Sequence, residues 1–453
     1  METIIKNALK SAKADYAEIR IQEGVSTGIA YVGKELESIG ENNAFGGCVR
    51  ALVKGGWGFV AFNDIENLPR YVEMACEQAR FVGTQQSQLA PIPKVTDYVK
   101  TKVDIDPADI SLTDKQAICH KYNNMILLSR NIQTSNVRYV DSHGKVYFAN
   151  TDGSFIVQET IFCGISLMAM ARDGMNVQQS YQSMGDLRGF SNVQNLEGKC
   201  EEVVKRAVDL LSAKPVAGGK YTVIIDPKLC GVFVHEAFGH LSEADFIYEN
   251  AQLREIMVMG KRFGIDALSI VDDGSMTGEA GYNKYDNEGT LTQKTYLIKD
   301  GILTNRLHSR ETAAKMNEKP TGNARAISYA HSPIVRMTNT YMEPRDYSFE
   351  KMLSEVDNGI YAIGALGGQT NMEMFTFSAE EAYMIRNGKI QEMVRDVVLT
   401  GNVFETLMNI DAIGNDLKIH GGLGGCGKGG QSPLRVSDGG PHVRIQNVVI
   451  GGR

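Results

Sequence analysis

The chain has 453 residues, of which 43% are hydrophobic and 22% charged, a composition typical of soluble globular proteins with more than one domain. The net charge of −7 and the lack of basic runs argue against a nucleic-acid surface, and no stretch of about 18 apolar residues could span a membrane. The seven cysteines are scattered without paired spacing, which predicts a reducing compartment, by default the cytoplasm.

Residues 1–82 predict an N-terminal α+β subdomain. Strand signals alternate with glycines and turn residues, and Lys54-Gly55-Gly56 predicts a hairpin turn. No apolar core of a signal peptide is present near the N-terminus, so the segment is expected to be structural. The predicted elements are an amphipathic helix over 1–20, strands over 17–22, 26–32, 34–40, 48–53 and 57–62, and a helix over 65–81.

Residues 83–109 are polar and proline-containing, which predicts a connector. Residues 110–215 predict a central α+β subdomain that uses the order helix, strands, helix a second time, without a repeat at the level of residues. The predicted elements are a helix over 113–130, strands over 137–140, 146–150, 154–161 and 164–171 with turns at 141–144 and 151–153, and a helix over 195–213.

Residues 216–453 predict a large β-rich catalytic domain around one inserted helix, which makes the fold class α+β. Residues 221–225 read as a buried strand, and Asp226-Pro227 is a good strand-to-helix turn. The helix is expected to begin near Lys228 and to enter the interior. Further short helices are predicted over 311–317, 349–355 and 402–412.

This inserted helix contains two imidazoles and a carboxylate, in the segment His235-Glu236-Ala237-Phe238-Gly239-His240. Neutral imidazole is the commonest protein ligand of zinc, and a Glu beside the first His can act as a general base that activates water. A buried Glu also needs a partner or a function. The segment therefore predicts a metal site, and the alternative is a buried helix with two hydrogen-bonded core histidines.

The spacing of the two histidines sets a geometric condition. In the motif H-E-x-x-H they share one helix face, but here they are five residues apart. On a regular helix that spacing turns the two rings roughly 140° away from each other. A single π-type turn would let both rings reach one metal, and Gly239 makes such a turn less costly. We therefore expect a widened turn or a break at Phe238-Gly239.

A catalytic zinc normally has three protein ligands and an open position, so a third ligand is required. Glu243 and Asp245 are near in sequence, and Glu243 would share a face with His240 if the helix continued. Cys426 is a distant candidate. It lies in the glycine-rich segment 421–430, whose backbone can approach a crowded site closely.

The glycine-rich segment has a second interpretation, because residues 422–428 match the phosphate-loop pattern G-x-x-x-x-G-K. Gly429 stands where the magnesium-binding Ser or Thr belongs, and Pro433 disfavours the helix that should follow. The segment therefore favours a ligand role for Cys426, with Lys428 stabilising its thiolate, over phosphate binding. An incidental thiol in a flexible loop is the remaining alternative, and spacing alone leaves Glu243 and Cys426 both open.

These segments resemble the TldD/PmbA family of metallopeptidases. The resemblance rests on residues 235–240 together with Cys426-Gly427-Lys428-Gly429-Gly430-Gln431, and it extends over nearly the whole chain. Because the chain keeps H-E-x-x-x-H, it is similar to the TldD-type active subunit rather than to the PmbA (TldE) type, which lacks the metal motif. Further stretches that agree with the family are 46–50, 56–59, 285–290, 321–325 and 336–340.

The resemblance implies zinc bound by His235, His240 and Cys426, with Glu236 as the general base. It also implies a homodimer, or a heterodimer with a TldE/PmbA-like paralogue, that encloses a cavity reached only by short or unfolded peptides. The implied activity is the processing and degradation of small peptides. Neither direct nucleic-acid binding nor membrane insertion is expected.

The main hypothesis for function is therefore a zinc-dependent peptidase. The alternative is a non-catalytic peptide-binding or assembly subunit with a structural zinc. Structural zinc sites are usually closed by four ligands, so three ligands beside a free Glu favour catalysis.

Three polar residues have no assigned role. Asp286 and Glu288 flank Asn287 and predict an acidic hairpin edge, with contact to substrate or to the metal ligands as the alternative. His420 is interpreted as a solvent-facing loop residue, with assistance in catalysis or a spare ligand as the alternative.

Overall fold

The computed structural model describes residues 1–83, 87–371 and 373–451, and it has the predicted α+β architecture. A first region, up to Ser212, is built on long antiparallel strands, and a second region is built on many short ones. The helices and strands of the first region are α1 (Glu2–Leu9), β1 (Tyr16–Val32), β2 (Glu35–Val53), β3 (Gly56–Phe62), α2 (Leu68–Val82), β4 (Thr96–Val99), α3 (Leu112–Leu127), β5 (Ile132–Asn150), β6 (Phe155–Asp173), β7 (Asn176–Asp186) and α4 (Glu197–Ser212).

The strands of the first region form one sheet in the order β3-β2-β1-β5-β6-β4. β4 pairs with the N-terminal part of β6, and β7 pairs with the C-terminal part. The order helix, strands, helix occurs twice, as predicted, but the strands of both occurrences belong to the same sheet. β4, in the predicted connector 83–109, joins this sheet beside β6. The boundaries of the predicted subdomains stay a prediction.

Several predicted strands are segments of longer ones. The predicted turn at 141–144 is wrong, because these residues are extended within β5 and pair with β1 on one side and β6 on the other. Gly24 and Gly144 lie opposite each other there, and a Cβ on Gly24 would be 2.9 Å from the carbonyl oxygen of His143. The predicted N-terminal helix is also shorter than expected, since it ends at Leu9. In β5, strand pairing with β1 and β6 outweighs the local preference of residues 141–144 for a turn.

The second region contains the remaining elements. It begins with β8 (Lys214–Pro215), β9 (Gly219–Ile225), α5 (Pro227–Val234), α6 (Ala244–Glu249), α7 (Ala251–Ile256), β10 (Ile270–Asp273), β11 (Lys294–Lys299), β12 (Ile302–Leu303), α8 (Arg310–Met316), β13 (Ala324–Arg325), β14 (Ile334–Val335) and β15 (Asn339–Met342). It continues with α9 (Phe349–Ser354), β16 (Asn358–Asn371), β17 (Met374–Arg386), β18 (Lys389–Arg395), β19 (Val398–Asn402), α10 (Val403–Met408), β20 (Ile410–Ile413), β21 (Lys418–Gly421), β22 (Cys426–Lys428), β23 (Gln431–Leu434), β24 (Ser437–Gly440) and β25 (Val443–Gly451).

Two larger sheets enclose the inserted helix α5. In the first sheet, β16, β9, β25, β19 and β17 pair in turn and close on themselves, because β16 also pairs with β17. The second sheet has the order β12-β11-β10-β15-β24-β21. Helix α5 packs against β16 of the closed sheet and against β15, β21 and β24 of the other. The predicted helix over 402–412 stops at Met408, since Ile410–Ile413 pairs with β25.

Within the ranges that the structure describes, none of the helices is both long and apolar enough to cross a membrane.

Candidate metal centre

Helix α5 is placed by the strand that precedes it. Asp226 caps the helix, because one of its carboxylate oxygens accepts a hydrogen bond from the backbone N–H of Leu229 at 2.9 Å. Pro227 occupies the first helical position, where its missing N–H costs nothing. Gly231 lies against β24, and a Cβ there would be 2.5 Å from the backbone nitrogen of Gly439. The helix can therefore lie close to the sheet.

The predicted widened turn is confirmed. Residues His235–Gly239 form one π-helical turn, and His240–Ser242 continue as a 3-10 turn. Gly239 fits here because a Cβ would lie 2.0 Å from Sδ of Met337. The turn brings the two imidazole rings together, with centroids 5.2 Å apart and planes at 88°.

Cys426 joins the two histidines from the other end of the second region. Its Sγ lies 3.4 Å from Nε2 of His240, and donor atoms of His235, His240 and Cys426 all lie within 4.8 Å of one another. His235 and Cys426 are each only 4% exposed. This cluster includes neither Glu243 nor Asp245, the two candidates that are close in sequence.

Cys426 begins β22, and the hairpin of β22 and β23 is held by a buried arginine. Arg336 is fully buried, and its guanidinium donates to the carbonyl oxygen of Cys426 at 2.6 Å and to that of Gln431 at 3.2 Å. Gly429 and Gly430 both have positive φ, of 58° and 75°, which closes the tight turn between the strands. Because a strand follows the glycines, the alternative of a phosphate loop is wrong.

Glu243 contacts the site through His240. Its carboxylate is 3.0 Å from Nδ1 of His240 and 3.1 Å from Nζ of Lys428, and the Glu243 side chain is fully buried. Lys428 also donates to Asp245 at 2.6 Å and to the carbonyl oxygen of Val335 at 2.8 Å. A carboxylate on the outer ring nitrogen fixes the tautomer that leaves Nε2 free to bind a metal.

The charges in this cluster shift the protonation of its members. Burial opposes ionisation of the Cys426 thiol, but hydrogen bonds and charge from His235 and His240 lower its pKa to about 5. Burial opposes protonation of His240, but Glu243 and Cys426 raise its pKa to about 11. Burial would raise the pKa of Glu243, and Lys428 and His240 more than offset this. A thiolate is the form of Cys426 that binds a metal, and the two histidines would release protons on binding.

The residues present fit a metal of the zinc type. Nδ1 of His235 is buried and finds no hydrogen-bond partner in the described parts of the chain. An unpaired buried nitrogen costs free energy that a bound ion would offset. Two imidazoles and a thiolate are donors that zinc accepts, and three of them leave a fourth position open.

Glu236 lies on the π turn next to His235 and is half-buried. Among the residues that the structure describes, none donates a hydrogen bond to its carboxylate. Burial raises the pKa of the nearby Asp438 carboxylate to about 6, although the charges of His235 and Lys228 lower it, and the charge of Glu236 raises it further. Glu236 is thus the accessible carboxylate beside the cluster.

The predicted acidic edge at Asp286 and Glu288 is wrong, since both side chains are buried. The Asp286 carboxylate accepts backbone hydrogen bonds from Glu288, Thr290 and Ala324 at 2.9 to 3.0 Å. Glu288 pairs with Arg50 of β2 at 3.1 Å. Buried carboxylates require such partners, and the pair of Glu288 with Arg50 connects the second region to the first sheet.

His420 is not the solvent-facing loop residue that we predicted. It lies in β21, its Nε2 is buried, and burial lowers the pKa of the ring to about 4. Arg336 and Asp438 were not predicted from the sequence to belong to the site. Neither has a local signal, because the residues they contact are distant in sequence.

Comparison with known proteins relates the chain to metallopeptidases. Family domain models described as PmbA/TldA metallopeptidase domain 1, central domain and C-terminal domain match residues 17–79, 105–213 and 218–452. A metalloprotease of Synechocystis sp. is 45% identical over 97% of this chain and 96% of its own. A protein of Saccharolobus solfataricus named zinc metalloprotease TldD homolog is 28% identical over 97% of both chains.

Solved structures show the same fold. A Thermotoga maritima protein described as a modulator of a DNA gyrase superposes with a TM-score of 0.81 at 20% identity, over 99% of this chain and 100% of that one. TldE from Thermococcus kodakarensis superposes with a TM-score of 0.79 at 16% identity, over all of both chains. Matches along the whole length, with full-length relatives named metalloproteases, show that the chain belongs to the PmbA/TldD family of metallopeptidases.

Proposed function

We propose that the protein is a zinc-dependent peptidase of the TldD type that hydrolyses short or unfolded peptides. The observation that supports this most strongly is the cluster of His235, His240 and Cys426 beside the free carboxylate of Glu236. Zinc fits this donor set, and the relative from Saccharolobus solfataricus is named a zinc metalloprotease.

In this proposal His235, His240 and Cys426 hold the ion. Zinc, when bound, supplies a Lewis acid that activates water and polarises the peptide carbonyl. Glu236 accepts the proton of the attacking water on a carboxylate oxygen and then delivers it to the nitrogen of the leaving amine. Glu243 keeps the proton of His240 on Nδ1, so that Nε2 remains available as a ligand.

The proposed substrates follow from how the site is assembled. His240 and Cys426 are 186 residues apart in the chain, and we propose that the second region closes over the site they form. A folded protein would have to unfold locally to present a peptide bond there. We therefore propose that flexible peptides are cleaved and stable domains are spared.

The assembly and location belong to the same proposal. We propose a homodimer or a heterodimer with a TldE/PmbA-like paralogue, which is supported by the likeness to a TldE structure. All seven cysteines are unpaired thiols, which supports the cytoplasm as the location. Neither nucleic acid nor membrane is part of the proposed function.

The test compares wild-type protein with the variant Glu236→Gln, both loaded with zinc. Unstructured peptides are incubated with each protein, and the products are identified by mass spectrometry. We expect the variant to keep one zinc per chain and to lose about 10²- to 10⁴-fold in rate. One sequence is offered both as a free peptide and as a loop of a stable domain, and only the free form should be cleaved.

Two outcomes would contradict the proposal. Zinc-loaded wild-type protein that cleaves no peptide would favour the non-catalytic alternative with a structural zinc. Equal cleavage by wild type and Glu236→Gln would remove Glu236 as the base.

A further inference from the structure

We propose that Asp438, with His420 beside it, forms a subsite that binds a positively charged group of the peptide substrate. The inference rests on the proposed function and adds a substrate class to it. The ligand chemistry is an ammonium group, which a peptide carries either at its free N-terminus or on a lysine side chain.

The two side chains share one face of a sheet. β21 and β24 are antiparallel, and His420 lies directly opposite Asp438 in the register. Directly opposite residues of antiparallel strands project to the same side. For this pair that side is the one covered by α5, because an oxygen of Asp438 would be 2.6 Å from a Cβ placed on Gly231. The glycine lets the carboxylate lie against the helix, one turn before His235.

Both groups lack protein partners. Within the described ranges, neither a hydrogen bond nor an ion pair reaches the carboxylate of the half-buried Asp438, and the buried Nε2 of His420 has no hydrogen-bond partner. The neighbouring carboxylate of Glu380 is different, since Lys228 pairs with it at 2.5 Å and Arg206 at 2.8 Å. Lys228 is therefore paired with Glu380, and it acts on Asp438 only through its charge, without a direct ion pair. A partly buried carboxylate without a paired cation is stabilised when a cation binds to it.

The subsite adjoins the reacting groups. Lys228, Val232 and Glu236 follow one another at intervals of four residues, and each is only partly buried, so this face of the helical segment is accessible. Asp438 lies along the same segment, and the charges of Glu236 and His235 both act on it. A peptide whose scissile bond lies at Glu236 can place a nearby ammonium group against Asp438.

An ammonium group can donate hydrogen bonds to the carboxylate of Asp438. It has three N–H donors, and the carboxylate of Asp438 provides two acceptor oxygens. Burial lowers the pKa of His420 to about 4, so its ring is neutral at neutral pH and adds no positive charge that would repel an ammonium group. A carboxylate of the substrate would instead be repelled by Asp438 and Glu236. The pair therefore selects for positive charge.

The experiment uses zinc-loaded full-length protein and one unstructured peptide in matched forms. The first pair has a free or an acetylated N-terminus, and the second has lysine or norleucine near the cleaved bond. We expect wild type to prefer one cationic form roughly tenfold or more in kcat/KM, through KM. In Asp438→Asn the ratio between the cationic and the neutral form should fall to near one. The pair that shows the preference identifies the N-terminus or the lysine as the source.

A second readout separates this inference from the proposed function. Binding of the same four peptides is measured by calorimetry on zinc-loaded Glu236→Gln, with and without Asp438→Asn. A preference for charge in Kd that depends on Asp438 supports the subsite even if wild type cleaves nothing. Wild type that cleaves and binds both members of each pair equally, or an Asp438→Asn variant that keeps the preference, would overturn it. Asp438→Ser repeats the test should Asp438→Asn unfold.

Discussion

The two sides of the candidate metal centre are built in different ways. His235, Glu236 and His240 come from one continuous segment, and a single π turn after α5 sets their relation to each other. Cys426 comes from the short hairpin of β22 and β23, which is fixed by Arg336 from elsewhere in the chain and by the pairing of its own Lys428 with Glu243. The helical side depends on backbone geometry, and the hairpin side depends on buried polar contacts.

This difference determines what each side tolerates. On the helical side, the close contacts of Gly231 and Gly239 leave no room for a Cβ, so added volume is the main threat. On the hairpin side, fully buried charges depend on one another, so the loss of one partner is the main threat. Four variants test this comparison, from the largest expected effect to the smallest.

Removing the proposed ligand in the hairpin, Cys426, should have the largest effect. Cys426→Ser replaces the thiolate with a hydroxyl, which is a poor zinc ligand, so the affinity for zinc should fall by more than the roughly 100-fold expected for losing an outer partner. Competition with a chelator measures this. Cys119→Ser, in a buried core position of the first region, controls for the introduction of a hydroxyl and should keep full zinc. Full zinc in Cys426→Ser would exclude Cys426 as the third ligand.

Lys428→Met should lower the free energy of unfolding by about 3–5 kcal/mol, because it removes the buried cation that pairs with both Glu243 and Asp245 and leaves His240 as the remaining cationic partner of Glu243. Urea denaturation of the metal-free protein measures the loss. The double variant Lys428→Met/Glu243→Gln should recover part of it, since the charge of the Glu243 carboxylate no longer needs to be neutralised. A single variant as stable as wild type would show that His240 alone satisfies Glu243.

The same contrast explains what could be predicted from the sequence. The α+β class, the helices α2 to α4 and the widened turn follow from patterns within a few neighbouring residues. The lengths of β1 and β5 do not, because Gly24 and Gly144 resemble breakers and are kept extended only by the strands on either side.

At the site, His235, Glu236 and His240 are visible as one motif, whereas Cys426 was favoured over Glu243 only through the family resemblance. The other wrong predictions at polar residues arose because burial could not be predicted from the sequence. Asp286, Glu288 and His420 resemble surface residues in isolation, and only the fold shows that they are enclosed. Arg336 could not be identified because its acceptors, the carbonyl oxygens of Cys426 and Gln431, lie at least 90 residues away.

Glu243→Gln tests the contact between the two sides. The amide is uncharged and holds Nδ1 of His240 less firmly, so zinc affinity should fall by about 10- to 100-fold. Asp245→Asn is the matched control, because Asp245 also pairs with Lys428 but does not contact His240. It should change zinc affinity little. Complete loss of zinc in Glu243→Gln together with full retention in Cys426→Ser would instead identify Glu243 as the third ligand.

Gly239→Ala should have the smallest effect and tests the helical side alone. The new methyl group would lie 2.0 Å from Sδ of Met337, a fully buried side chain, so the π turn must shift or Met337 must move. Overpacking of this kind costs about 1–3 kcal/mol, and the flexibility of methionine favours the lower end. Thermal unfolding of the metal-free protein measures the cost.

The matched variant Gly239→Ala/Met337→Ala separates volume from backbone conformation. Gly239 has a right-handed helical backbone, with φ of −58° and ψ of −54°, which alanine adopts without strain. If volume is the only obstacle, Gly239→Ala should lower the free energy of unfolding less in the Met337→Ala background than in wild type. Zinc affinity should then be the same in Met337→Ala and in Gly239→Ala/Met337→Ala. An equal loss of stability in both backgrounds would mean that the backbone of the π turn itself requires glycine. The helical side would then depend on backbone conformation as well as on the space beside Gly239.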